Sequence, residues 1–119
     1  MVTKTFNLSD VLSITTGVLL SDRKMDGVYD ILNFMTRDDL YTHQLPRARD
    51  AVLPSLLQQF PQLTDIVVPK FDTPESVEPW LQTQRDLFGD TFVVSPVAEG
   101  TFVRIDPITE LHAMMSQDT

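Results

Sequence analysis

The sequence predicts a single α+β domain spanning residues 1–119, with four or five helices packed on a small, mostly antiparallel sheet. Three observations carry this expectation. Apolar residues recur at helical spacing in several separate stretches, short β-branched or aromatic runs lie between them, and 119 residues without a linker, internal repeat or low-complexity tract leave room for one core.

Lys4-Thr5-Phe6-Asn7 reads as a short edge strand. Asn7 or Ser9 then caps a helix whose apolar stripe is Val11, Leu12 and Ile14 with Thr15, and Gly17 stops it. Val18-Leu19-Leu20, bounded by Gly17 and Ser21-Asp22, is expected to form a buried strand or to lead into a turn. From about Met25, Val28, Ile31, Leu32 and Met35 follow the i, i+3, i+4, i+7 spacing of a core helix, with Tyr29 and Phe34 widening its face. Gly27 falls near its start, where the helix cost of glycine, about 1 kcal/mol, is least felt.

Thr36 to Leu45 is a polar connection, after which Pro46 opens a helix running to about Gln59, with Ala48, Ala51, Val52, Leu56, Leu57 and Phe60 on its core side. Pro54 inside that helix predicts a kink or two abutting short helices between Val52 and Ser55. Ile66-Val67-Val68 reads as a strand limited by Pro69. Thr73 as cap, Pro74 at the first position and Glu75 in the first turn start a helix to Phe88, whose inner face is Val77, Trp80, Leu81, Leu87 and Phe88. Gly89 is expected as its left-handed C-terminal residue. Thr91 to Val94 reads as a strand, paired across the Ser95 to Gly100 loop with a second strand at Thr101 to Ile105. Asp106 caps and Pro107 begins a last helix with Ile108, Leu111, Met114 and Met115, and Ser116 to Thr119 should fray.

Charge is the most informative bulk quantity. The net charge is -8 and uneven: residues 1–60 carry seven acids against six bases, residues 61–119 ten against three. A field of that sign repels nucleic-acid phosphates and steers the chain towards a basic partner. Zero cysteines exclude disulfides, thiolate metal sites and a cysteine nucleophile, and two histidines far apart in sequence leave little for zinc, so no metal and no cofactor is expected. No G-x-x-x-x-G-K or G-x-G-x-x-G run is present to cradle phosphate. No apolar run approaches the roughly 18 residues of a membrane span, and Met1 to Thr5 lacks the apolar stretch of a signal peptide, so the expected location is the cytoplasm.

Three stretches stand out together: Leu8-Ser9-Asp10-Val11-Leu12-Ser13 with Thr15-Thr16-Gly17, Gly27-Val28-Tyr29-Asp30-Ile31-Leu32-Asn33-Phe34-Met35-Thr36, and Leu40-Tyr41-Thr42-His43-Gln44-Leu45-Pro46-Arg47-Ala48. They resemble a family of small uncharacterised proteins of tailed phages and prophages. The likeness continues through Pro54, Pro61-Gln62-Leu63, Trp80-Leu81, Phe88-Gly89 and Ser95-Pro96 and brings no catalytic motif with it. The resemblance implies a phage-encoded domain in the host cytoplasm that binds and blocks a host protein.

The function expected is therefore inhibition of a host defence or nucleic-acid-handling protein, in the manner of an anti-CRISPR-like factor, through its basic surface and without enzymatic activity. Two surfaces are candidates. On the helix after Thr73, the spacing turns Glu75, Glu78, Gln82 and Asp86 outward, close to Asp72 and Asp90 at its ends, which makes an acidic ridge. The other is the segment holding Tyr41, His43, Gln44 and Arg47. Two alternatives stay open: a small hydrolase or transferase using Asp38 to Arg47, where Asp38, Asp39 and His43 suggest acid-base chemistry, and a virion or assembly component. Arg37, Arg47 and Arg49 are expected to pair with Asp38, Asp39 and Asp50. Trp80 and the methionines Met25, Met35, Met114 and Met115 are expected to pack inward, with the Met114-Met115 pair as the exception. Adjacent Met114 and Met115 cannot point the same way, so one is available to a partner or to a second copy of the chain.

Overall fold

Asn7 ends one element and starts the next. Its backbone is extended (φ -79°, ψ 161°) while its Oδ1 accepts the Asp10 amide at 3.0 Å, so strand β1 (Lys4–Asn7) runs directly into helix α1 (Leu8–Thr16). Gly17 closes α1 at φ 75°, a left-handed conformation that suits glycine. The computed structural model describes residues 2–116, and there the chain is an α+β domain of five helices and a two-stranded antiparallel sheet. After α1 come α2 (Met25–Thr36), a 3₁₀ turn at Thr42–Gln44, and α3 (Leu45–Gln59). A 3₁₀ turn at Pro74–Ser76 leads into α4 (Val77–Phe88), then β2 (Thr91–Val94) and α5 (Pro107–Ser116). No helix of the described residues is long and apolar enough to cross a membrane.

The sheet joins the chain's start to its later part. Phe6 faces Phe92 and Lys4 faces Val94 across β1 and β2, and the buried Phe6, Phe92 and Val94 cover one side of the helical core. That core is built from Leu8, Val11, Leu12 and Ile14 of α1, Ile31, Leu32 and Met35 of α2, and Ala48, Val52 and Leu56 of α3. From α4 only Leu81 is fully buried.

Several expectations are corrected, and each correction traces to where backbone groups find partners. Of the two outcomes expected for Val18 to Leu20, the strand does not form and the segment leads into the turn at residues 22–24, because the amides of Val18 and Leu20 donate to Thr16 Oγ1 and Ser13 Oγ on α1 instead of to a ladder. Ile66 to Val68 is irregular: the Ile66 amide turns back to the Leu63 carbonyl, no strand among the described residues pairs with it, and Val67 is 82% exposed. Thr101 to Ile105 does not pair with β2. The carbonyls of Val103 and Ile105 accept from Arg47 and Gln44, and β2 takes β1 as its partner. Pro54 sits inside one uninterrupted α3 rather than between two abutting helices. Gly89 has positive φ but an extended ψ (φ 104°, ψ 161°), so it is not a left-handed helical cap. Leu87, placed 280° around from Val77 at 100° per residue, lies on the flank of α4 and is 68% exposed. Met25 is also exposed, and both Met114 and Met115 are exposed where one was expected to be, whereas Met35 is buried as expected and Trp80 is half-buried. Of the residues expected to fray, Ser116 is the last of α5, and residues 117–119 lie outside the described residues.

Candidate functional site

The α1–α2 connection is tied down by a buried carboxylate that sequence reasoning missed. Asp10, in the first turn of α1, is fully buried, and burying a carboxylate is costly unless it is paired and hydrogen-bonded. It is both: Arg23 reaches Asp10 Oδ2 at 2.5 Å, and the Ser21 hydroxyl donates to Asp10 Oδ1. Arg23 also bridges to Asp30 at 2.9 Å, and Lys4 closes on the same carboxylate at 2.6 Å, which links β1, the connection and α2. The hydrogen bond to Asp10, and after it that to Asp30, raises the Arg23 pKa. For Asp30 burial pushes the pKa up, but the hydrogen bonds from Lys4 and Arg23 more than offset it and leave the carboxyl below its ordinary value. The signal in the sequence was Gly27: a glycine inside a helical pattern marks a close approach. A Cβ there would collide with Ser21 Oγ and Asp10 Oδ1.

The segment of Tyr41, His43, Gln44 and Arg47 is brought together, but much of its bonding capacity is spent on the chain's own C-terminal part. His43 Nε2 donates to the Pro107 carbonyl at 2.8 Å. Gln44 is buried and donates to Glu110 Oε1 at 3.1 Å while its Oε1 accepts the Tyr41 amide. Arg47 grips Glu110 with two bonds, Nε at 3.1 Å and an Nη at 2.7 Å, and its guanidinium lies over the Phe102 ring at 4.3 Å. The arginines therefore do not pair as expected. Arg47 binds Glu110, Arg49 donates to the Ile14 carbonyl and Arg37 to the Val97 carbonyl, because these partners are presented in fixed positions by the fold. Asp38 meets Arg104 at 3.5 Å instead, and His43 makes no ion pair among the described residues. Tyr41 alone of this group is well exposed, stacked on His43 with ring centroids 6.2 Å apart.

The hydrogen bond from Arg47 holds the Glu110 carboxyl below the usual glutamate range; burial opposes this and Gln44 adds to it. Glu110 was not expected to act here. Nothing in a spacing of more than sixty residues between Gln44 and Glu110 announces their contact.

On α4 the ridge residues Asp72, Glu75, Glu78, Asp86 and Asp90 are all exposed. They are not equivalent. Arg85 projects among them and binds Glu78 at 2.6 Å, reaching also to Asp22 at 3.0 Å across to the α1–α2 connection. Hydrogen bonding to Glu78 raises the Arg85 pKa, against an opposing effect of burial. Asp86 accepts from Gln82 at 3.0 Å, while Asp72, Glu75, Asp86 and Asp90 lie outside the ion pairs of the described residues. The segment 72–90 keeps five acids against one base.

Among the described residues no group of three or more His, Asp or Glu side chains is placed to hold a metal ion. Residues 6–66, just over half of the chain, match one family of proteins. The chain belongs to that family, a domain of unknown function designated DUF7736. The DUF7736 match contains the end of β1, all of α1, α2 and α3, and the Asp10 cluster except for Lys4, and it ends at Ile66, before α4 and the ridge. No curated protein and no solved structure matches the chain.

Proposed function

We propose that the chain is a small acidic protein-binding domain, encoded by a phage or prophage, that acts in the host cytoplasm by occupying and blocking a basic surface of a host protein. The target class is a defence complex or another nucleic-acid-handling protein, as for anti-CRISPR-like factors, because a surface built to hold phosphates is basic. The observation that carries this reading is the concentration of uncompensated charge on and around α4, where Asp72, Glu75, Asp86 and Asp90 stand exposed outside any ion pair of the described residues. Such a field accelerates encounter with a cationic surface and rejects anionic ones. Neither an enzymatic step nor direct contact with nucleic acid is part of the reading.

The test is capture by the tagged chain from bacterial lysate, with the retained protein identified and eluted along a salt gradient. The expected result is a basic protein that is held at low salt and released as ionic strength rises, together with no retardation of duplex or single-stranded DNA by the chain itself at physiological salt. Micromolar, salt-sensitive binding of the chain to naked DNA contradicts the proposal.

A second reading, a component that works by assembling with copies of itself, is favoured by α5. Ile108, Leu111 and Met115 are exposed there at a spacing that puts them on one side of the helix. A molar mass that rises with concentration, and falls back when Ile108 and Met115 are replaced by serine, would support it; a monomer throughout would remove it.

A further inference from the structure

Two departures from the sequence expectation meet at one place. Val67, expected in a strand, and Leu87, expected in the core, both stand exposed along a trough of about 300 Å³ beside α4. Trp80, Phe88 and Ile66 complete its apolar lining, and Asp65 stands on its rim. Trp80 is held by edge-on packing against Phe71, with 5.8 Å between ring centroids. Gln62 and Gln84 also line the trough, and neither amide is engaged in a hydrogen bond among the described residues, so both can serve the backbone of an incoming segment.

We propose that this trough takes one bulky apolar side chain from a basic segment of a partner protein, with a lysine or arginine flanking that side chain paired to Asp65 and the segment drawn in by the field of the acids on α4. The inference rests on the protein-binding reading above and adds the anchor that a steering field lacks. The volume lies at the lower end of small-molecule pockets, which fits a single side chain. Charge selects the occupant: residues 61–90 carry six acids against two bases, and Arg85 is already tied to Glu78 and Asp22. A second copy of this chain, itself at -8, brings like charge to the trough, whereas a cationic segment is attracted to it. Apolar side chains exposed together beside polar amides and a carboxylate are what such an anchor site requires.

Trp80 is the sole tryptophan, so its fluorescence reports occupancy directly. The probe is a blocked pentapeptide with phenylalanine between two pairs of lysines, titrated at low salt beside two controls, one with alanine for phenylalanine and one with serine for every lysine. The phenylalanine–lysine peptide is expected to shift Trp80 emission saturably. The alanine peptide should bind roughly tenfold or more weakly, the loss that follows from leaving a bulky apolar side chain unburied. Leu87→Ser, at an exposed position whose fold is checked by circular dichroism, should weaken the parent peptide in the same direction. Equal binding of the phenylalanine and alanine peptides overturns the trough while leaving the acidic steering intact. Equal binding of the serine peptide overturns its selection for a basic segment, and absence of any saturable shift overturns the anchor altogether, whatever partner capture finds.

Discussion

Gly27 is the residue at which the smallest change should do the most harm. In an open helix, alanine would be favoured over glycine by about 1 kcal/mol. Here the added methyl group meets Ser21 and Asp10, which are fixed by Arg23 and cannot both withdraw without exposing or unpairing a buried carboxylate. Overpacking of this sort costs about 1 to 3 kcal/mol, so Gly27→Ala is expected to lower stability in urea unfolding despite its better helix propensity. Glu110 gives a second test at this scale. Its folded pKa lies below its ordinary value of 4.5, so its contribution is complete above that value and is lost as pH falls through the lower, folded value. The stability difference between the native chain and Glu110→Gln should therefore be largest near neutrality and shrink below about pH 4.5. A difference independent of pH would mean that the Arg47 contact adds nothing through charge.

At the scale of elements, α4 separates into a buried and an exposed part that the sequence pattern merged. Leu81 is 1% exposed, and Leu81→Ala should cost about 2 to 5 kcal/mol. Leu87→Ala should stay within about 0.5 kcal/mol of the native chain, as expected for an exposed position. Chemical denaturation of the two variants checks both, and equal losses would return Leu87 to the core. The helices were legible because their apolar spacing and their caps agree: Asn7, Gly17 and Pro46 all mark real ends, and Asp106 accepts the Ile108 and Thr109 amides as a cap should. The strands were legible only where a partner exists. Lys4 to Asn7 and Thr91 to Val94 find each other, while Ile66 to Val68 and Thr101 to Ile105 have the right composition and no strand to pair with among the described residues. Strand propensity reports fit to a sheet, and local sequence cannot say whether a sheet is there. The candidate surfaces divide the same way. Exposure of the ridge followed from helical geometry, but Arg85 lying across Glu78 and the engagement of Arg47 by Glu110 depend on contacts distant in sequence.

For the whole molecule, the family match and the charge lie on different parts of the chain. The matched residues 6–66 hold the three-helix core and the buried Asp10 with its partner Arg23, and most of the net negative charge falls beyond them. The DUF7736 region thus builds the helical scaffold, and the later segment carries the surface proposed to meet a partner. Two charges on that surface are suited to a test, because Glu75 and Asp86 are exposed and outside the ion pairs, whereas Glu78 is held by Arg85 and its reversal would disturb a contact to Asp22 as well. The most direct measurement is the association rate of the captured partner with the native chain and with the Glu75→Lys, Asp86→Lys double variant, each across a series of ionic strengths. Slower association of the variant at low salt, a flatter salt dependence, and an unchanged or slightly higher melting temperature are expected. Identical rates and identical salt dependence, with the fold intact, would contradict the proposal.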